Sequence, residues 1–257
     1  MTGDDHVLAR DLAVQAGQRL LELRAQGGEP DVLRKAGDRL SHEFLTAALA
    51  GQRPGDVVLS EEGADNPARL GARRVWIVDP LDGTREFGEP GRTDWAVHVA
   101  LWEKGDVSGP GDLTAGAVAL PAQGTVLSTA EPPPPLPGDE APARIRIVVS
   151  RSRPPSFVRD ISGLINAELV PLGSAGAKVA AVICGEVDAY VHGGGFYEWD
   201  TAAPVAVARA AGLHASRIDG SALAYNQPDL LMPDILVCRP AVAGILLRAI
   251  REVTHAS

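Results

Sequence analysis

Asp79-Pro80-Leu81-Asp82-Gly83-Thr84 gathers two carboxylates and a hydroxyl directly after the apolar run Val75-Trp76-Ile77-Val78. Such a run predicts a short buried strand, and a strand end holds the groups that follow it in place. Pro80 fixes one backbone dihedral, so Asp79 and Asp82 can turn toward one point. Carboxylate oxygens set this way suit magnesium, which keeps several waters and completes its octahedron with phosphate oxygens. Gly83 leaves the backbone open to an anionic ligand, and Thr84 adds a hydroxyl beside the carboxylates. A solvated Asp-Gly turn would use the same residues without a metal.

Two further acidic clusters argue against that plain turn. Ser60-Glu61-Glu62 follows Val57-Val58-Leu59, a second short apolar strand, and Trp199-Asp200 opens the alanine-rich helical stretch Thr201-Ala202-Ala203-Pro204. Three acidic ends of regular elements point to one shared site. Asp200 could also serve as the N-cap of its helix, and capping and ligation need not exclude each other.

The chain must bring these ends together. Periodicity predicts an amphipathic helix over 4–25, with Leu8, Leu12, Ala16, Leu20 and Leu23 on one face, ended by Gly27-Gly28-Glu29-Pro30. A second helix is predicted over 38–50, which puts Asp38 at its N-terminus as a candidate cap. Strands are predicted at 95–102, 115–120 and 125–129, the last two joined as a hairpin by 121–124, giving an antiparallel sheet. The proline-rich run 131–138 suits neither helix nor ladder. It marks either a boundary between domains at 1–140 and 141–257 or a surface excursion. Beyond it, strands at 144–150, 169–172, 187–191, 212–217 and 235–238 alternate with helices at 154–166, 174–184, after Asp200 and at 240–253. That alternation predicts an α/β half following an α+β half.

Composition narrows the partners. The chain has 257 residues, 45% of them apolar, enough for a substantial core. A net charge of −9 opposes binding to nucleic acid. No apolar run reaches the ~20 residues that span a bilayer, and the acidic start of the sequence does not look like a basic leader. Cys184 and Cys238 both lie in apolar contexts and are expected to be small core residues, which fits a cytoplasmic location. The histidines lack zinc-ligand spacing and no Gly-x-Ser-x-Gly elbow occurs, so zinc hydrolases and serine esterases are excluded. His98, between Val97 and Val99, is assigned no role.

The three acidic clusters, in this order, resemble the inositol monophosphatase superfamily of magnesium-dependent, lithium-sensitive phosphatases. The resemblance covers essentially the whole chain. The extension Arg85-Glu86-Phe87, the segment Val148-Val149-Ser150-Arg151-Ser152 and the segment Gly173-Ser174-Ala175-Gly176-Ala177-Lys178 are similar to the CysQ branch. Members of that branch remove the 3'-phosphate from 3'-phosphoadenosine 5'-phosphate, in the setting of sulfate assimilation. The implied fold is a layered αβαβα sandwich of the inositol monophosphatase/fructose bisphosphatase type, with the site between its halves.

The resemblance also implies roles. Glu61, Asp79 and the Leu81 carbonyl would hold one Mg2+, and Asp79, Asp82 and Asp200 a second, with a third, weaker ion beside Glu61. Thr84 and Asp38 would accept the proton of the attacking water, with no covalent intermediate. Glu61, Asp82, Gly83, Thr84 and Asp200 would contact the substrate. The helix starting at Ser174 would offer free backbone N–H groups to a phosphate or ribose, with Lys178 one turn on and Arg151 facing the same cleft. Lys178 and Arg151 could equally be solvated surface cations.

Alternatives remain at this level. Inositol monophosphate and fructose 1,6-bisphosphate carry the same reacting group, and 3'-phosphoadenylyl sulfate is a further nucleotide substrate. A regulatory protein that only binds a phosphorylated ligand is the non-enzymatic reading, although no expected metal ligand is missing. A homodimer is left open. An aspartyl-nucleophile phosphatase of the haloacid dehalogenase type needs its two aspartates two residues apart, whereas Asp79 and Asp82 are three apart.

Overall fold

The computed structural model describes residues 4–105, 111–137, 140–152 and 154–255. Helix α1 (Asp5–Ala25) is capped by Asp4, whose carboxylate accepts the His6 N–H, and buries Leu8, Leu12, Ala16 and Leu20 as their spacing predicts. Helix α2 spans Pro30–Gln52 and so begins earlier than the predicted start at Asp38. Pro30 was expected only to end the preceding helix. It instead occupies the first turn of α2, where a missing N–H costs nothing and the fixed φ suits a helix. Asp38 therefore lies in the body of α2 and is not a cap.

Strands β1 (Val57–Ser60) and β2 (Arg74–Asp82) are followed by the one-turn helix α3 (Thr84–Gly88), then β3 (Ala96–Glu103), β4 (Asp112–Leu120) and β5 (Thr125–Ser128). They form one sheet in the order β1-β2-β3-β4-β5, antiparallel except for the β1–β2 pair. The β2–β3 ladder is broken at the decisive point: Asp79 pairs with His98 and Asp82 with Ala96, so β2 carries one extra residue between them. This bulge is where a proline, lacking the ladder N–H, can sit inside a strand, and it re-aims the adjoining side chains. Trp76 and Val78 pack toward α1 and α2, while Val75 and Ile77 pack toward the opposite face. Both faces of β2 are covered, which explains its unbroken apolar run.

The second half runs β6 (Arg146–Ser150), α4 (Ser156–Ile165), β7 (Glu168–Leu172), α5 (Ala175–Ile183), β8 (Ala189–His192), β9 (Phe196–Tyr197), α6 (Glu198–Ala210), β10 (His214–Ser216), β11 (Leu231–Met232), β12 (Ile235–Cys238) and α7 (Pro240–His255). Its main sheet is mixed, in the order β10-β12-β8-β6-β7. The short β9–β11 ladder was not anticipated, since two residues carry no readable period. Residues 131–137 form no regular element, and Gly138, the last residue of the proline-rich run, lies outside the described residues.

Five layers result. Helices α1 and α2 cover one face of the first sheet, α5 and α6 fill the space between the sheets, and α4 and α7 cover the outer face of the second. This is the αβαβα order that the family resemblance implies. The middle layer matters most, because α5 and α6 point their N-termini toward the β2 bulge. Cys238 is buried as expected, but Cys184 at the end of α5 is exposed. Among the described residues, no helix is long and apolar enough to cross a membrane.

Candidate active site

The bulge in β2 delivers Asp79 and Asp82 to one place, both buried. Asp79 Oδ1 accepts the Leu81 N–H at 3.0 Å, which fixes the turn. Asp200 comes from the first turn of α6, where its Oδ2 accepts the Tyr197 N–H at 2.6 Å. The N-cap is thus Tyr197, and Asp200 caps from within the helix, a correction that leaves its other oxygen available. Asp79, Asp82 and Asp200 each offer an oxygen within 4.8 Å of the others. Glu61, one residue past β1, is hydrogen-bonded to the Asp79 carboxyl. Glu61 and Glu62 both keep exposed surface, and Glu62 lies outside this set.

Crowding four carboxylates is costly without a cation. Burial, then the Glu61 and Asp82 charges, pushes Asp79 well above the usual carboxylate range. Burial and the Asp200 charge raise Glu61 to about 7, and burial with the Asp82 charge raises Asp200 to about 6. Asp82 behaves oppositely. Burial acts to raise it, but His98, the Ser174 hydroxyl and Lys178 outweigh that and hold it at about 2. All-oxygen donors, mutual repulsion and the nearby Leu81 carbonyl make a set that fits hard divalent ions such as Mg2+.

A stability prediction follows from these directions. A carboxyl raised by folding stabilises the fold fully below its ordinary pKa and loses that contribution as pH climbs through the folded value. For Glu61 and Asp200 the loss ends near 7 and 6. The melting temperature of protein stripped of divalent metal is therefore expected to fall between about pH 4 and pH 7, and Mg2+ to restore it. Glu61→Gln should flatten the fall. Thermal unfolding in EDTA at stepped pH checks this, and an unchanged slope in the variant counts against the crowding argument.

Beside the carboxylates, Thr84 Oγ1 lies 3.2 Å from Asp38 Oδ1 and 3.0 Å from the Leu81 carbonyl oxygen. Asp38 reaches it from the body of α2. Close approach of the two elements requires Gly37, where a Cβ would stand 2.8 Å from the Phe87 ring and 2.9 Å from the Leu81 side chain. Burial, then the Glu62 charge, raises Asp38 to about 6, against the lowering effect of the Thr84 hydrogen bond. Gly83 holds φ 84°, a left-handed value favouring glycine, and its Cα faces Ser174 and the Asp94 carbonyl.

The N-terminus of α5 differs from expectation. Its N–H groups are not free: Ala175 and Gly176 donate to Asp82 at 3.1 and 2.6 Å, and Ala177 donates to Ser174 Oγ at 2.9 Å. Ser174 Oγ itself donates to Asp82 Oδ2 at 2.5 Å. An aspartate from the facing sheet has taken the place foreseen for substrate phosphate, because its charge is favourable at a helix N-terminus. Ser174 carries φ 46°, a strained value for a residue with a side chain, at the centre of this network. Lys178 is neither solvated nor exposed. It is buried, donates to the Ser174 and Gly173 carbonyls at 2.5 and 3.3 Å, and lies over the Tyr190 ring.

Arg151 is also committed elsewhere, donating to Glu86 at 2.7 Å and Glu89 at 3.1 Å rather than facing a phosphate. A cleft of about 480 Å³ is lined by Gly83, Thr84, Arg85, Ser150, Ser174 and Lys178; none of the four carboxylates lines it, and it meets their cluster through Ser174, which binds Asp82, and through Thr84. Its size suits a ligand as large as a nucleotide. A second cavity of about 410 Å³, between Arg92 and Cys184, contains none of the carboxylates. The residue that sequence reasoning passed over is His98. It is fully buried, with Nε2 3.3 Å from Asp82 Oδ2. Its position opposite Asp79 in the β2–β3 register was the available signal.

Known proteins are similar to this chain in sequence and in fold. The chain is 52% identical over 261 residues to the 3'-phosphoadenosine 5'-phosphate phosphatase of Mycobacterium leprae (strain TN), covering 97% of this chain and 94% of that protein. It is 32% identical over 241 residues to the 3'(2'),5'-bisphosphate nucleotidase CysQ of Escherichia coli (strain K12), covering 84% of this chain and 91% of that protein. The crystal structure of inositol monophosphatase-II from Staphylococcus aureus MSSA476 superposes with a TM-score of 0.81 over 97% of this chain and 96% of its own, at 22% identity, which is a likeness of fold. The sequence model of the inositol monophosphatase family matches residues 8–255, a span that includes every carboxylate of the candidate site. The chain belongs to the inositol monophosphatase family, and it is a phosphomonoesterase.

Proposed function

We propose that this enzyme hydrolyses the 3'-phosphate of 3'-phosphoadenosine 5'-phosphate, and of 3'-phosphoadenylyl sulfate, with Mg2+. The observation that carries the reading is the convergence of Asp79, Asp82 and Asp200, with Glu61 bonded to Asp79, beside the Thr84–Asp38 pair, whose threonine lines a nucleotide-sized cleft. The activity for which the M. leprae relative is named supports the choice of substrate. Inositol 1-phosphate and fructose 1,6-bisphosphate are the competing substrates, because the carboxylates and Thr84 would meet only the phosphate end.

Glu61, Asp79, the Leu81 carbonyl, Asp82 and Asp200 would hold two or three Mg2+. When bound, these ions supply positive charge that neutralises the phosphate oxygens and makes water more acidic. The chain's own residues do the rest. Asp38 holds the Thr84 hydroxyl as an acceptor for the proton of the attacking water, and Thr84 passes its own proton to Asp38. Water oxygen bonds to phosphorus, the bond to the ribose 3'-oxygen breaks, and that oxygen is protonated from solvent. The nucleotide product is adenosine 5'-phosphate, or the sulfated nucleotide, released with phosphate. Asp38, raised to about 6, is better matched to this task near neutral pH than an ordinary carboxylate.

In keeping with the family, the reading extends to lithium sensitivity and to sulfate assimilation in the cytoplasm, where the free thiols Cys184 and Cys238 suit reducing conditions. Residues 1–140 and 141–257 are read as two halves, the first with most metal ligands and the second with Asp200, supported by the separate sheets on either side of the proline-rich run. A homodimer is compatible with this reading. Phosphate release from 3'-phosphoadenosine 5'-phosphate, inositol 1-phosphate and fructose 1,6-bisphosphate at matched concentrations tests it. We expect kcat/KM for the nucleotide to lead by about tenfold or more, a difference of ~1.4 kcal/mol. Equal values on all three would replace the nucleotide assignment with a broad-specificity phosphatase.

A further inference from the structure

We infer that His98 is a positioning residue for the metal site: its imidazole ties the Asp82 carboxylate to the first turn of α6 and thereby holds two metal ligands in register. This rests on the metal reading of the carboxylates, but not on which phosphate ester is hydrolysed.

The strand dictates where the ring points. Val97 and Val99 pack into the core beneath α1 and α2, so alternation along β3 sends His98 to the opposite face, toward α5 and α6. A residue with only packing to do there would be aliphatic like its neighbours, since a buried imidazole is costly unless its nitrogens find partners. Both nitrogens face oxygens. Nδ1 lies 3.1 Å from the Trp199 carbonyl, one residue before Asp200, and Nε2 lies 3.3 Å from Asp82 Oδ2. The approach of Nε2 to Asp82 is a charge contact without hydrogen-bond geometry, and Nε2 has no hydrogen-bond partner.

The surroundings are shaped to admit the ring. A Cβ on Gly176 would stand 2.1 Å from Nε2, so a side chain there would force the imidazole away. The Gly176 N–H donates to the same Asp82 oxygen at 2.6 Å. Asp82 Oδ2 is thus approached by Gly176, by Ser174 Oγ and by His98, from α5 and from β3. Only the imidazole also reaches α6.

Three variants test this with protein stripped of metal. Mg2+ binding is read by titration calorimetry, independently of turnover, and substrate KM is read at saturating Mg2+. His98→Leu, which removes both nitrogens, is expected to weaken Mg2+ binding about tenfold to a hundredfold, as loss of a ligand-orienting partner typically does, with KM changed less than about threefold. His98→Gln, whose amide nitrogen can reach toward Asp82, should recover Mg2+ binding to within about threefold of wild type. Gly176→Ala keeps a helix-favouring residue but displaces the ring, so it should weaken Mg2+ binding in the same direction even where the leucine variant does not fold. Unchanged Mg2+ binding in His98→Leu or in Gly176→Ala overturns the inference, as does a glutamine variant no better than leucine. If wild-type protein binds no Mg2+, the metal reading itself fails, a result distinct from these.

Discussion

Replacing Asp82 with asparagine is expected to lower Mg2+-dependent phosphate release by about a thousandfold or more. The magnitude follows from removing a charged ligand at the reacting centre, a loss of several kcal/mol at ~1.4 kcal/mol per tenfold. Asp82 is the one carboxylate of the set held ionised, at about 2, by the protein's own donors. It therefore carries its negative charge into the site throughout the working pH range. The same contacts give the substitution a second consequence. Ser174 Oγ and the Ala175 and Gly176 N–H groups all donate to this carboxylate, and an asparagine amide nitrogen cannot accept from them. The variant should also melt at a lower temperature, so turnover must be compared well below that transition, with circular dichroism confirming the fold. Near-normal turnover with unchanged Mg2+ dependence would remove Asp82 from the site.

Thr84→Val and Asp38→Asn should each lower kcat by about a hundredfold with little effect on KM, within the range of general acid–base contributions. Valine preserves the shape of threonine while deleting the hydroxyl that lies 3.2 Å from Asp38. Because the two groups act as one relay, the double variant should be little worse than either single one. The pH profile adds an independent sign. Asp38 accepts a proton only when ionised, and it is raised to about 6. Wild-type kcat should therefore fall as pH drops through about 6, and Asp38→Asn should lose that acid limb. Multiplicative losses in the double variant, or an unchanged limb, would separate the two residues into different roles.

Much of this was legible because the motifs sit at element ends. The apolar run before Asp79 and the acidic pair after Leu59 placed the carboxylates correctly, since short buried strands leave little freedom at their ends. Element order in the second half was equally readable, with Ser174 capping α5 and Pro240 opening α7 as capping and proline preferences suggest. The start of α2 was not readable, because proline both ends one helix and opens the next. Asp38 consequently moved from a cap to the body of a helix, while still meeting Thr84. The partners of Ser174, Arg151 and His98 were not readable for one reason: each lies across a tertiary contact, and local sequence carries no record that Asp82 occupies the N-terminus of α5 or that Glu86 binds Arg151. The binding-only alternative is set aside by family membership, not by local pattern.

The most direct test of the central claim is phosphate release from 3'-phosphoadenosine 5'-phosphate by metal-stripped protein as Mg2+ is titrated in. The carboxylate cluster predicts no release in EDTA and a saturable rise with Mg2+. Release that proceeds equally in EDTA would contradict it, and so would none at any Mg2+ concentration.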